Sequence, residues 1–290
     1  MSMSPTDTAA ESVHVFECAG EQLVGVVHAQ PGARLGVVFV PGGGQYRVGS
    51  HRLFVQVARV LALHNIAVLR FDHRGVGDSG GRYLGFEHLH EDLEAAVRTF
   101  RSGWPTLERI VLLGLCDGAA AAVLALDTVA DVAGVVLINP WVHSSGLEAR
   151  ARFSTYYRDR ITSREFWHKA IRGEVDIVAS GRSLVHYFLE LVQSPRDPGQ
   201  GVGNSAYVGR MCDNIDAYAG HVSIALSGKD LVAQQFLQLI TRDRRWKALT
   251  ERARFEITHF AQADHTFSYR EHREAFERHV VGWLSGVMPQ

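Results

Sequence analysis

The chain has 290 residues, 46% of them hydrophobic and 21% charged, a balance that supports a large buried core and argues against extensive disorder. Thirty basic side chains against thirty-one acidic ones leave a net charge of -1, so no global field draws the protein to nucleic acid or anionic lipid. The three cysteines, Cys18, Cys116 and Cys212, are far apart and follow no metal-ligand or disulfide spacing, which excludes a thiolate metal site and a cystine framework.

The opening MSMSPTDTAAES carries neither the basic start nor the apolar run of a secretory signal, and no apolar run approaches the roughly eighteen residues of a membrane span. The expectation is a cytoplasmic protein with loose leading residues, without a cofactor.

Short β-branched runs then alternate with helical stretches, the signature of parallel strands joined by crossover helices. The expected strands are Val13 to Phe16, Leu23 to His28, Leu35 to Val40, Ile66 to Phe71, Ile110 to Leu113, Val135 to Ile138, Val222 to Leu226 and Phe255 to Thr258. Helices are expected over Phe54 to Leu63, Phe86 to Phe100, Asp117 to Asp127, Val232 to Ala248 and Arg273 to Leu284. The rhythm breaks between Ser144 and Asn214, a segment rich in Arg, Tyr, Phe and Trp that reads as a helical insertion containing the turn-rich loop SPRDPGQGVGNS. The chain is thus expected to divide into a core (1–143), a lid (144–214) and the remainder of the core (215–290).

Gly114-Leu115-Cys116-Asp117-Gly118 lies between an apolar strand and an alanine-rich helix. That is the setting of the G-x-S-x-G nucleophile elbow, with cysteine in the serine position. A thiol there meets the positive end of a helix, which favours negative charge on sulfur. An elbow nucleophile needs an acid and a base later in the chain. Ser227-Gly228-Lys229-Asp230 places Asp230 after a late strand, and Ala263-Asp264-His265 places His265 in the loop after the last one. His265 is expected to move the thiol proton, with Asp230 holding its tautomer. Asp264 is a rival acid, and His259 reads as structural.

Acyl transfer also needs preset donors for a developing oxyanion. One candidate is the backbone N–H of Asp117, directly after the nucleophile. The other comes from Pro41-Gly42-Gly43-Gly44, which follows a buried strand, with Gly43 favoured and Gly44 next. The carboxylate of Asp117 would oppose ionisation of the thiol if it turned toward sulfur, so a backbone role is expected for that residue. Gln45, Tyr46, Arg47 and Trp141 are expected to line the cleft and touch substrate. The stretch Phe71-Asp72-His73-Arg74-Gly75-Val76-Gly77-Asp78-Ser79 resembles the DxRGxGxS loop of many α/β-hydrolases, and that resemblance implies support of the site without a part in the chemistry.

With these motifs in order, the chain resembles the α/β-hydrolase fold across nearly its whole length. More narrowly, PGGGQYRVGSHRLF, LRFDHRGVGDS, LGLCDGAAAA and INPWV resemble the bacterial hydrolases associated with exosortase A systems, of the type named hydrolase 1. The resemblance implies a mostly parallel eight-stranded sheet flanked by helices, with a helical lid insertion. It also implies an esterase or thioesterase that works through a cysteine acyl-enzyme.

Cysteine forms a thioester with the acyl group, which remains reactive toward water, alcohols or amines. The candidate activities are therefore hydrolysis of an ester or thioester, acyl transfer from a CoA or carrier-protein thioester, or binding alone on an inactive scaffold. From Glu148 to Arg172 seven basic residues stand against three acidic ones. Such a lid is suited to phosphates of CoA, phosphopantetheine or an acidic acyl carrier protein, although a solvated helix face is the commoner origin of such a pattern.

Overall fold

The computed structural model describes residues 10–43, 45–142 and 206–288. Among them run eight strands: β1 (Ala10–Cys18), β2 (Glu21–Ala29), β3 (Leu35–Val40), β4 (Ile66–Phe71), β5 (Arg109–Leu115), β6 (Val132–Ile138), β7 (His221–Ser227) and β8 (Phe255–Phe260). They form one sheet in the order β1-β2-β4-β3-β5-β6-β7-β8. From β4 to β8 every neighbouring pair is parallel, whereas β2 runs antiparallel to both β1 and β4.

The described helices are α1 (Leu53–Leu63), α2 (His90–Gly103), α3 (Asp117–Leu124), α4 (Ala206–Ala217), α5 (Leu231–Arg242), α6 (Arg244–Thr250) and α7 (Arg270–Val287). Strands β3, β4 and β5 are buried along almost their whole length, as parallel strands covered on both faces must be. Successive side chains alternate between two cores. Val38, Val40, Ile110, Leu112, Val135 and Leu137 face a layer built by α2 to α6. Val37, Phe39, Val111, Leu113, Val136 and Ile138 face α1 and α7.

Two expected helices are interrupted. The segment from Phe86 to Phe100 is a single 3-10 turn (Phe86–His88) followed by α2, because buried Leu89 departs from helical geometry between them. The segment from Val232 to Ala248 breaks at Asp243. There an extended backbone lets the Asp243 carboxylate accept the amides of Arg245 (2.9 Å) and Trp246 (3.1 Å), starting α6 afresh. Aspartate competing for backbone donors as an N-cap overrides a helical periodicity that runs through it.

Residues 143–205, which hold almost all of the expected lid and its basic stretch, lie outside the described residues. The helix α4 runs through the expected lid boundary at Asn214 and packs Tyr207, Val208, Met211, Cys212 and Ile215 into the core layer beneath α3. No described helix is long and apolar enough to cross a membrane.

Candidate active site

Parallel strands end at a common edge, and the carboxyl ends of β3, β5, β6, β7 and β8 carry the glycine turn, Cys116, Asn139, Asp230 and His265. A cleft at this edge is the usual ligand position in parallel α/β sheets.

Cys116 sits between β5 and α3 with φ 60 and ψ -124, a left-handed conformation that costs a β-carbon-bearing residue about 1–3 kcal/mol. The surroundings hold it there. Its N–H donates to the Ile138 carbonyl at 2.8 Å, and its own carbonyl accepts from Ala119 (3.0 Å), Ala120 (3.2 Å) and Trp141 (3.1 Å). The flanking glycines are required by contact. A β-carbon on Gly114 would lie 2.4 Å from the Gly118 carbonyl oxygen, and one on Gly118 would lie 2.2 Å from that of Val40. The alanines from Ala119 to Ala122, all buried, let α3 sit this close to the sheet. Cys116 is partly exposed, whereas Cys18 and Cys212 are buried.

Asp230 ends the β7 turn and is the N-cap of α5. Its carboxylate accepts from Val232 N–H (3.2 Å) and Ala233 N–H (3.1 Å) and, through Oδ2, from His265 Nδ1 at 2.8 Å. A carboxylate acceptor fixes Nδ1 as the protonated nitrogen and leaves Nε2 as the ring nitrogen for Cys116, whose sulfur acts on the same imidazole. Burial alone pushes the imidazole pKa down. Hydrogen bonds to Asp230 and to Cys116, together with their charges, outweigh it and raise the pKa to about 10. The structure therefore brings Cys116, His265 and Asp230 together.

The rival acid, Asp264, is spent inside its own loop, accepting from Ser268 N–H at 2.9 Å and from the Ser268 hydroxyl. His259 lies exposed on β8, paired in register with Leu226. The His265 loop is clamped by buried Phe267, whose ring meets Phe276 at 4.8 Å and Phe260 at 5.2 Å between centroids.

Asn139 had no place in the sequence reading. Fully buried at the end of β6, with φ 45, it accepts from Ser227 N–H at 2.8 Å through Oδ1. Its Nδ2 donates to Ser227 Oγ (3.0 Å) and to the His265 carbonyl (2.9 Å). One amide side chain thus ties three strand ends together. The only signal for it in the sequence is an asparagine directly after a buried strand, a residue type that tolerates left-handed backbone.

The glycine turn departs from expectation. The Asp117 side chain reaches over it: Oδ2 accepts from Gly43 N–H at 2.7 Å and Oδ1 from Gly118 N–H at 3.1 Å. The Gly43 amide expected to await an oxyanion is bonded to a carboxylate, which gives the Asp117 side chain a role in the turn. Gly44 lies outside the described residues. Beneath the turn, buried His73 donates from Nε2 to the Pro41 carbonyl at 2.8 Å. Burial lowers its pKa against the raising effects of the Pro41 bond and of Asp92, Asp72 and Asp117, so the ring acts as a neutral strut.

Among the expected cleft residues, Arg47 belongs to the support instead. Its guanidinium pairs with buried Asp72 and, at 2.5 Å, with Asp78, and its N–H donates to Asp72 at 2.6 Å. Local sequence does not reveal this role, because the partners of Arg47 lie 25 and 31 residues away in the chain. Asp72 also accepts from Asp78 N–H at 3.0 Å, and its carbonyl accepts the Ser79 hydroxyl at 2.7 Å. Gln45 turns back on its own loop, donating from Nε2 to Ser50 Oγ at 3.0 Å. Tyr46 is exposed, and Trp141 is held beside the elbow by the bond to the Cys116 carbonyl.

A family model described as serine aminopeptidase, S33, matches residues 32–164, just under half of the chain and including the elbow. No curated protein matches. Among solved structures, the chain resembles the esterase Pf2001 of Pyrococcus furiosus, with a TM-score of 0.66 and 17% identity over 100% of this chain and 98% of that one. It also resembles a thermostable carboxyl esterase of Bacillus coagulans, with a TM-score of 0.62 and 13% identity over 96% and 99% of the two chains. A third likeness is to an alpha-beta serine hydrolase homologue of Coxiella burnetii, with a TM-score of 0.55 and 17% identity over 94% and 97%. Likeness at such identities is likeness of architecture. The chain has the α/β-hydrolase fold.

Proposed function

We propose that the chain is a hydrolase that cleaves an ester or thioester through a covalent acyl-enzyme on Cys116. The observation that supports this reading is the bond that Asp230 Oδ2 accepts from His265 Nδ1 at 2.8 Å, on an imidazole that Cys116 also acts on; in this reading the opposite ring nitrogen serves the sulfur. The family model matched over the elbow is described as serine-based, and in this chain sulfur takes that place.

In this reading the imidazole, with its pKa raised to about 10 by Asp230 and Cys116 against the cost of burial, already holds the proton near neutral pH. The sulfur attacks the acyl carbon, forming a C–S bond and a tetrahedral oxyanion. Collapse breaks the bond to the leaving alcohol or thiol, which takes the proton from His265. A water then attacks the thioester, gives its proton to the now neutral His265, and the C–S bond breaks to release the acid. Asp230 keeps Nδ1 protonated and offsets the positive ring throughout. The backbone N–H of Asp117 is one donor for the oxyanion.

The substrate in this reading is a small or carrier-bound acyl compound. The narrower likeness to exosortase-associated hydrolases rests on the motifs quoted above, and the proposed recognition of CoA or a carrier protein rests on the basic stretch within residues 143–205.

The test is incubation of the purified protein with a panel of acyl esters and acyl thioesters, with and without alcohol or amine acceptors, followed by intact-mass analysis. An acyl adduct on Cys116, absent in Cys116→Ala and not turned over in His265→Gln, with free acid as the main product, is the expected result. Acyl-acceptor product outpacing free acid makes the protein an acyltransferase, for which the thioester intermediate is equally suited. No adduct with any donor overturns the enzymatic reading in favour of a binding protein.

A further inference from the structure

Gly43 is exposed, so water can satisfy its N–H and folding does not require a protein acceptor there. Asp117 nonetheless supplies one at 2.7 Å, with the other carboxylate oxygen on Gly118 N–H at 3.1 Å. The fit is close. A β-carbon on Gly42 would stand 2.1 Å from Asp117 Oδ1, and one on Gly43 would stand 2.7 Å from Oδ2 and 2.8 Å from the Tyr83 hydroxyl. The two glycines are thus shaped around a carboxylate and a phenol. Burial, with a further contribution from the Asp117 charge, raises the Tyr83 pKa to about 12, so this hydroxyl stays protonated and able to donate.

A charge-assisted bond of this kind is among the stronger ones. It occupies an amide of the glycine turn that reaches Asp117, the residue directly after the nucleophile, and a developing oxyanion would have to approach a like charge to reach it. Two anions cannot share that donor.

We propose that Asp117 is the latch of the oxyanion site: in the resting protein its carboxylate holds the Gly43 amide, and acylation of Cys116 proceeds when a substrate carbonyl displaces it. This inference rests on the acyl-enzyme reading above. Asp117 acts through Gly43, and so is a positioning residue whose removal speeds the first chemical step. The Tyr83 hydroxyl, at the same point of the turn, is the donor to which the displaced carboxylate turns.

The experiment compares two reactions of Cys116 in full-length wild type, Asp117→Asn and Asp117→Ala. Alkylation by iodoacetamide forms a C–S bond by displacement at saturated carbon and needs no oxyanion donor. Acylation by an acyl thioester needs one. Both are followed by intact mass, and their ratio removes any change in the nucleophilicity of sulfur. Withdrawing one oxyanion donor typically costs about 10² to 10³ in rate, so the ratio is expected to rise at least about tenfold in Asp117→Ala and by less in Asp117→Asn, whose neutral amide oxygen still accepts from Gly43. Retained alkylation in each variant reports an intact elbow. A ratio that is unchanged, or that falls, while wild type acylates normally overturns the latch and leaves the acyl-enzyme reading standing. Alkylation without acylation in all three proteins overturns both, and acylation in the Asp117 variants but not in wild type supports the latch in its strongest form.

Discussion

Asn139 holds His265 by the backbone: its Nδ2 donates to the histidine carbonyl at 2.9 Å while its Oδ1 accepts from Ser227 N–H at 2.8 Å. The base and the turn leading to the acid are therefore registered by one buried amide in addition to the contacts of their own loops. Replacing it with alanine leaves the Ser227 N–H and the His265 carbonyl without their partner, at about 1–3 kcal/mol for each orphaned buried group. Asn139→Ala is expected to lose about 2–4 kcal/mol in urea denaturation, and its folded fraction to acylate Cys116 more slowly while substrate binding changes little. Unchanged acylation with lowered stability would make Asn139 a brace for the sheet alone.

His265 makes stability depend on pH. Its folded pKa, about 10, stands above the ordinary histidine value of 6.5, so the folded state binds the proton more tightly than the unfolded chain. The contribution is fully present below about pH 6.5 and is lost as pH rises toward 10. Thermal melts across this window should show stability declining in wild type and a flatter profile in His265→Gln. Removing one of the groups that raise the pKa, as in Cys116→Ala, should move the His265 imidazole titration to lower pH in NMR. A titration unmoved by loss of the sulfur would mean that Asp230 alone sets it.

Asp72 is fully buried and serves Arg47 from two directions. Breaking a buried ion pair by removing one partner typically costs about 3–5 kcal/mol, because the remaining charge is stranded. Asp72→Ala is expected near the lower end of that range, since Arg47 keeps Asp78 at 2.5 Å. Denaturation of Asp72→Ala and of the paired Arg47→Met/Asp72→Ala variant checks this. If the loop is held by charge pairing, the double variant recovers part of the loss.

Much of the architecture is legible in the chain because it depends on local rules. Continuous apolar runs such as Leu35–Val40 mark strands covered on both faces, and Gly114 and Gly118 flank Cys116 because nothing larger than hydrogen fits against the facing carbonyls. Helix ends are less legible. A run of periodic apolar residues continues through Asp243, and only the competition of its carboxylate for two amides divides α5 from α6.

Residue types, their order and their periodicity were enough to determine a parallel sheet with a strained turn at Cys116 and with Asp230 and His265 on later loops, since each of these follows from neighbours within a few positions. Tertiary structure alone decided where the charged and amide side chains spend their hydrogen bonds: Asp117 on Gly43, Arg47 on Asp72 and Asp78, Asn139 on Ser227 and His265. Those partners are 25 to 126 positions apart along the chain. Which donor meets which acceptor is set by how strand ends converge in space, a geometry that no short-range pattern encodes.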